Sequence, residues 1–211
     1  SSFPAKNRPL LTGVKGGLMV YDKRFNGVRP TDVEKAADAI SRIAKNYPKQ
    51  KGLILPYTDT IESLLCNAIT ERQPEIATRL IQHTKNPKER EQILSDFNSK
   101  SGNGILMSTY ANQGYDNENI NFVIIVKLPF LSLGDTKLKM KESELWYQTY
   151  TVRMLMQMYG RAMRSQDDWG HVYIIDAHYD HWYRTRKVEK LLPPYMLEAI
   201  KIGKLCAESI E

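Results

Sequence analysis

Three side chains of one segment have the types and spacing for phosphate chemistry. Gln157, Arg161 and Arg164 lie four and three residues apart in a stretch that reads as a long helix over 142–164. On a helix they fall within a sector of roughly 60°. Two guanidiniums on one face present planar, permanently charged forks, and a nucleotide phosphate is an anion that such forks grip bidentately. Leu155, Met158, Tyr159 and Ala162 fall on the other side, where they can pack on a sheet. Gly160 borders the polar face at a cost of about 1 kcal/mol relative to Ala, which implies a close approach to the backbone there. The same pattern also suits a solvated basic face paired with Asp167 and Asp168.

A second candidate follows the apolar run 104–109. The loop Tyr110–Glu118 is almost entirely polar. Its Gly114 can let backbone approach a phosphate, and Asp116 can orient an Arg or a ribose hydroxyl; Gly, Asn and Asp are also ordinary turn formers. The segment Asp176–His181 holds two His and two Asp, with His171 nearby. Its spacing matches no common closed metal site, and it reads better as a strand end leading into a helix, with Asp180 near the helix N-terminus.

The elements that must position these groups alternate between strand length and helix length. Strands are expected at 16–21, 52–56, 78–83, 104–109, 122–128 and 171–176. Helices are expected at 31–47 (capped by Thr31 with Glu34 three residues on), 59–72, 87–98, 142–164, 179–190 and 194–208. Such alternation implies parallel strands joined by crossover helices, with the strands apolar on both faces. Residues 1–15 read as an entering linker and 16–211 as one domain, with 134–141 a charged loop or insertion. In an open parallel sheet, ligands lie outside the carboxyl ends of the strands, which points to the exits after Pro56, Thr109, Leu128 and Asp176.

Composition narrows the classes. Of 211 residues, 42% are hydrophobic and 26% charged, which excludes a disordered chain and a membrane bundle. No apolar run approaches the roughly 18 residues of a membrane span. The start has neither the basic nor the apolar region of a signal peptide, and the missing initiator Met leads us to expect a fragment or a processed chain. Cys66 and Cys206 make neither a disulfide framework nor a zinc or iron–sulfur motif, so a reducing, intracellular home is expected. A net charge of +6 permits a phosphate-rich partner without demanding one. No aromatic base-stacking platform is evident along the chain.

The motifs nonetheless resemble a known family. Gln157-Met158-Tyr159-Gly160-Arg161-Ala162-Met163-Arg164 is similar to helicase motif VI, QxxGRxxR. The run from Ser108 to Asp116 resembles motif V. Val126-Lys127-Leu128-Pro129-Phe130 resembles the KLPF segment of the XPD and DinG branch of superfamily 2 helicases, and the run from Asp168 to Asp176 resembles that branch's D-x-G-x-V…D ending. Gly52–Thr58 sits where motif IV belongs, and 2–9 resembles the crossing between the two motor domains. Gln113 stands where the family usually has Glu, and His178 where an Arg is common. No GxxxxGK[ST] and no DEAH-like box occur.

The resemblance implies the second, C-terminal RecA-like (P-loop NTPase-type) domain: three-layer α/β/α with a mainly parallel sheet. It implies an ATP-dependent 5′–3′ DNA helicase whose first RecA-like domain supplies the phosphate loop and Mg²⁺. This domain would supply the arginine fingers Arg161 and Arg164, with Gln157 as an orienting residue and Gly114, Asp116 and Gly160 near the nucleotide. Tyr57, Thr58, Ser108, Thr109 and Tyr110 would touch single-stranded DNA, mostly at phosphates. No iron–sulfur cluster and no membrane are expected of this stretch, and the fragment alone would be inactive. The alternatives are an inactive RecA-like nucleic-acid-binding or scaffold domain, and a small-molecule α/β enzyme.

Overall fold

Short apolar runs become parallel strands, and the amphipathic stretches between them become crossovers. The chain, a computed structural model describing residues 4–82, 86–99, 102–112, 120–131, 144–162 and 169–208, passes in order through the following elements: β1 (Leu10–Leu11), β2 (Tyr21–Asp22), β3 (Gly27–Val28), α1 (Pro30–Lys45), β4 (Lys51–Leu55), α2 (Asp59–Arg72), α3 (Pro74–Ala77), β5 (Leu80–Gln82), α4 (Pro87–Ser99), β6 (Ile105–Met107), β7 (Ile120–Ile125), α5 (Glu144–Tyr159), β8 (His171–Ile174), α6 (Tyr179–Thr185) and α7 (Pro194–Glu208). The main sheet has the order β1-β8-β7-β4-β6-β5, with every neighbouring pair parallel. β2 and β3 form a separate antiparallel hairpin.

Alternate residues of each strand feed two different cores. Leu53, Leu55, Leu106, Val123, Ile125, Val172 and Ile174 pack on one side with Val152, Leu155, Met158 and Tyr159 of α5 and with α6 and α7. Ile54, Ile105, Met107, Phe122, Ile124 and Tyr173 pack on the other with α1 and α2. Two-sided burial is why these strands lack polar alternation, and it gives the expected three-layer α/β/α architecture.

Several boundaries differ from the sequence expectation for identifiable reasons. Leu10–Leu11, inside the stretch expected to be a linker, pairs with Val172 and Tyr173 as the edge strand. Residues 16–20 carry no strand, although the Gly16 amide donates to the Ile175 carbonyl at 2.7 Å just past the end of β8. Gly17 crosses the start of α1 so closely that a Cβ there would lie 2.2 Å from the Asp32 carbonyl oxygen. Helix α1 starts one residue earlier than expected, with Pro30 in its first turn and Arg29 as a cap without a side-chain bond. Proline's fixed φ suits that position, and Thr31 therefore caps nothing. The helix expected at 179–190 breaks after Thr185, because Lys187 takes a left-handed φ of 52° before a 3₁₀ turn at Val188–Lys190. The expected insertion at 134–141 lies outside the described residues.

Candidate functional site

The arginine-bearing helix does not run as one α-helix to residue 164. Its α-helical part ends at Tyr159, and Gly160–Ala162 form a 3₁₀ turn. Glycine's poor helix propensity accounts for the change of pitch at that residue. The packed side is as expected: Leu155, Met158, Tyr159 and Ala162 are buried. Gln157 and Gly160 are exposed, and Arg161 is half-buried. Nothing lies within 4 Å of where a Cβ on Gly160 would sit, so no part of this chain among the described residues makes the close approach expected there. Arg164, Asp167 and Asp168 lie outside the described residues, as do Gly114 and Asp116.

This turn is anchored from behind. A Cβ on Gly170 would lie 2.8 Å from the Ala162 carbonyl oxygen and 3.1 Å from that of Ile120. The Gly170 amide donates to the Asn7 carbonyl at 2.9 Å. The Tyr159 hydroxyl donates to the Arg8 carbonyl at 2.8 Å, and the Arg8 guanidinium lies over the Tyr159 and Tyr195 rings at 5.4 and 5.1 Å. Ile120 opens β7 and Gly170 precedes β8, so Arg161 sits at the amino ends of the strands. The sequence expectation looked only to the carboxyl ends.

The carboxyl ends carry the other candidates, roughly 24 Å away by the length of a 16-residue helix. Thr58 Oγ1 accepts from the Ile61 amide at 3.3 Å and caps α2. Ser108 is fully buried, and its hydroxyl accepts from the amides of Tyr110 and Ala111. That burial takes the Ser108 side chain away from any surface ligand and makes it a brace for the turn. The Thr109 hydroxyl donates to Asp59 Oδ1 at 2.8 Å, and its amide donates to Glu62 Oε2 at 3.2 Å. Tyr110 is 43% exposed, and the Arg90 guanidinium of α4 lies 4.0 Å over its ring. Tyr57 is half-buried with a φ of 76°.

Sequence reasoning missed Glu62, Asp59, Arg90 and Arg8. Glu62 is buried, and desolvation, aided by the nearby Asp59 charge, pushes its pKa up to about 7 against the pull of the Thr109 amide. The available signal was two carboxylates three residues apart in the first turn of a helix that directly follows a strand.

Asp176 accepts from the Leu128 and His178 amides, both at 2.8 Å, and so ties the β7 exit to the β8 exit. Burial raises its pKa. His178 and His181 meet edge to face at 5.5 Å. His171 is far from both in the fold, at the amino end of β8, bonded to the Tyr47 hydroxyl. Among the described residues no three His, Cys, Asp or Glu side chains form a group that could hold a metal ion.

The profile of the helicase C-terminal domain matches residues 40–196, about three quarters of the chain. The chain belongs to that family. No curated protein matches it in sequence. Among solved structures it is similar to S. tokodaii Xpd4, with a TM-score of 0.54 and 15% identity over 88% of this chain and 37% of that one. It is also similar to the helicase Lhr of Mycobacterium smegmatis bound to ssDNA and AMP-PNP (TM-score 0.55, 14% identity, 88% of this chain and 22% of that one). Domain 2 of the DEAD-box helicase Mss116p bound to an RNA duplex gives a TM-score of 0.55 at 15% identity, over 88% of this chain and 60% of that one. These likenesses establish the RecA-like fold. The chain spans well under half of the Xpd4 and Lhr chains. No described helix of this helicase C-terminal domain is long and apolar enough to cross a membrane.

Proposed function

We propose that this helicase C-terminal domain is the second motor domain of an ATP-dependent DNA helicase moving 5′ to 3′ along a single strand. It would act inside the cell, in association with DNA. The observation that carries the reading is the division of the domain into two ends. An arginine-bearing 3₁₀ turn with an open glycine stands at the amino ends of the strands, and a polar rim stands at the carboxyl ends, joined by the rigid length of α5.

The first RecA-like domain, a separate part of the protein, would meet the arginine end and bind ATP with its own phosphate loop. Arg161 and Arg164 then face the γ-phosphate, where fixed positive charge stabilises the negative charge of the transition state. Gln157 orients the nucleotide or the attacking water. Gly114 and Asp116 couple this cleft to the strand. The first RecA-like domain would also supply the carboxylate that holds Mg²⁺ beside the phosphates. The carboxyl rim carries the strand past Tyr57, Thr58, Thr109 and Tyr110. ATP closes the cleft and hydrolysis opens it, and alternation of the two states moves the domains along the strand.

The test is steady-state ATP turnover by the full-length protein with single-stranded DNA present. Arg161→Ala lowers turnover by about 10³-fold or more if the residue is an arginine finger. Arg161→Lys keeps the charge, loses the bidentate fork, and restores only a small part. Turnover within twofold of wild type for Arg161→Ala, by contrast, assigns the residue to a surface ion pair worth about 0–1 kcal/mol.

A further inference from the structure

The carboxyl rim holds an aromatic cluster that is invisible along the chain. Tyr57 follows β4, Phe130 follows β7, and Trp146, Tyr147 and Tyr150 open α5. The Phe130 and Tyr147 rings are nearly parallel, 7° apart with centroids at 6.3 Å, and Trp146 and Tyr150 lie 5.9 Å apart at 30°. All five are half-buried. Tyr147 is fixed further by its hydroxyl, which donates to the Leu131 carbonyl at 3.0 Å. β4 and β7 are neighbours in the sheet and α5 is the next described element after β7, so Tyr57 and the start of α5 share one end of the domain; burial, with the Tyr150 and Tyr147 phenols, raises the pKa of Tyr57.

Two features define what this cluster receives. Tyr57 takes a left-handed φ of 76°, a region that costs a bulky side chain on the order of 1 kcal/mol and that Gly or Asn occupies freely. A ring kept there at that cost has work to do. The ground beside it is also poor for phosphate. Asp59 and Glu62 fill the first turn of α2, and the Thr58 and Thr109 hydroxyls are engaged within the chain. Aromatic faces next to carboxylates suit the flat, uncharged part of a nucleotide.

We infer that Tyr57, Tyr147 and Tyr150 stack unpaired nucleobases, so that this part of the rim holds single strands by their bases. This rests on the reading above that the carboxyl rim is the nucleic-acid track. Duplex bases are already stacked on one another and give such rings no face, so the site selects unpaired strands.

The experiment compares the full-length protein's affinity for an oligothymidylate with its affinity for an abasic strand of the same length and phosphate number. The abasic strand is expected to bind about tenfold more weakly, or worse. Tyr57→Asn, which tolerates the left-handed backbone, and Tyr150→Leu are expected to bring the thymidylate down toward the abasic level, with a much smaller loss of affinity for the abasic strand. Tyr57→Phe keeps tight binding. Thermal melting checks that each variant folds, and if Tyr57→Asn does not fold, Tyr150→Leu carries the comparison. Equal wild-type affinity for the two strands overturns stacking while the track reading stands. Failure to bind either strand at low salt overturns both.

Discussion

The backbone amide of Thr109, at the exit of β6, donates to the buried carboxyl of Glu62 in the first turn of α2 at 3.2 Å. Glu62 therefore sits where burial opposes its charge and one N–H supports it. Its folded-state pKa of about 7 lies above the ordinary 4.5. Between those two values the folded chain binds more protons than the unfolded one, so this residue's contribution to stability is fully present below pH 4.5. It is lost as pH rises to 7 and stays constant above. Glu62→Gln keeps an acceptor for Thr109 and never ionises. It is expected to match wild type near pH 4 and to exceed it by about 1–3 kcal/mol at pH 8, measured by denaturant unfolding at both values. His171 and Asp176 titrate in both proteins and cancel in the difference. A variant less stable than wild type at pH 8 would show that the charged form is favoured.

Tyr159 and Arg8 predict a loss without a change of shape. Tyr159→Phe removes a buried hydroxyl that donates to the Arg8 carbonyl, while the ring stays under the guanidinium. Depriving that carbonyl of its donor is expected to cost about 1–3 kcal/mol, which lowers the melting temperature by roughly 2–12 °C in a domain of this size. An unchanged melting curve would mean that water replaces the hydroxyl.

Gly170 predicts a steric effect on the arginine turn. Its Cα faces two backbone carbonyls, of Ala162 and Ile120, and neither can swing away as a side chain would. Gly170→Ala is expected to destabilise the chain by about 1–3 kcal/mol through overpacking. In the full-length protein it should also lower ATP turnover by displacing residues 160–162. Normal stability with normal turnover would sink the claim that this contact sets the turn's position.

The 211-residue chain on its own is expected to release no phosphate from ATP, with or without single-stranded DNA. It has no GxxxxGK[ST] segment to hold the phosphates, and an arginine finger without a cradle cannot position the γ-phosphate. Turnover that disappears on mutating a residue of this chain would place a complete site within it.

Much was legible in the sequence because it is local. Two-sided apolar runs such as Lys51–Leu55 and Ile120–Ile125 specify buried parallel strands. The helix starts expected at residues 59 and 194 are kept by the structure. The QxxGRxxR spacing needs only helical geometry to bring Gln157 and Arg161 near each other. Tertiary structure alone decided the rest, because it depends on what packs beside what. Leu10–Leu11 is too short to read as a strand and becomes one by pairing with β8. Ser108 and Thr109 look alike as exposed hydroxyls in sequence, yet one is buried as a brace and the other is tied to Asp59. The aromatic rim comes from positions 57, 130 and 146–150, which only the adjacency of β4, β7 and α5 brings together. The 3₁₀ turn at Gly160 is held at the amino ends of the strands by Gly170 and Arg8, partners far from it in the chain or across a connection, and spacing along a sequence carries no record of such distances.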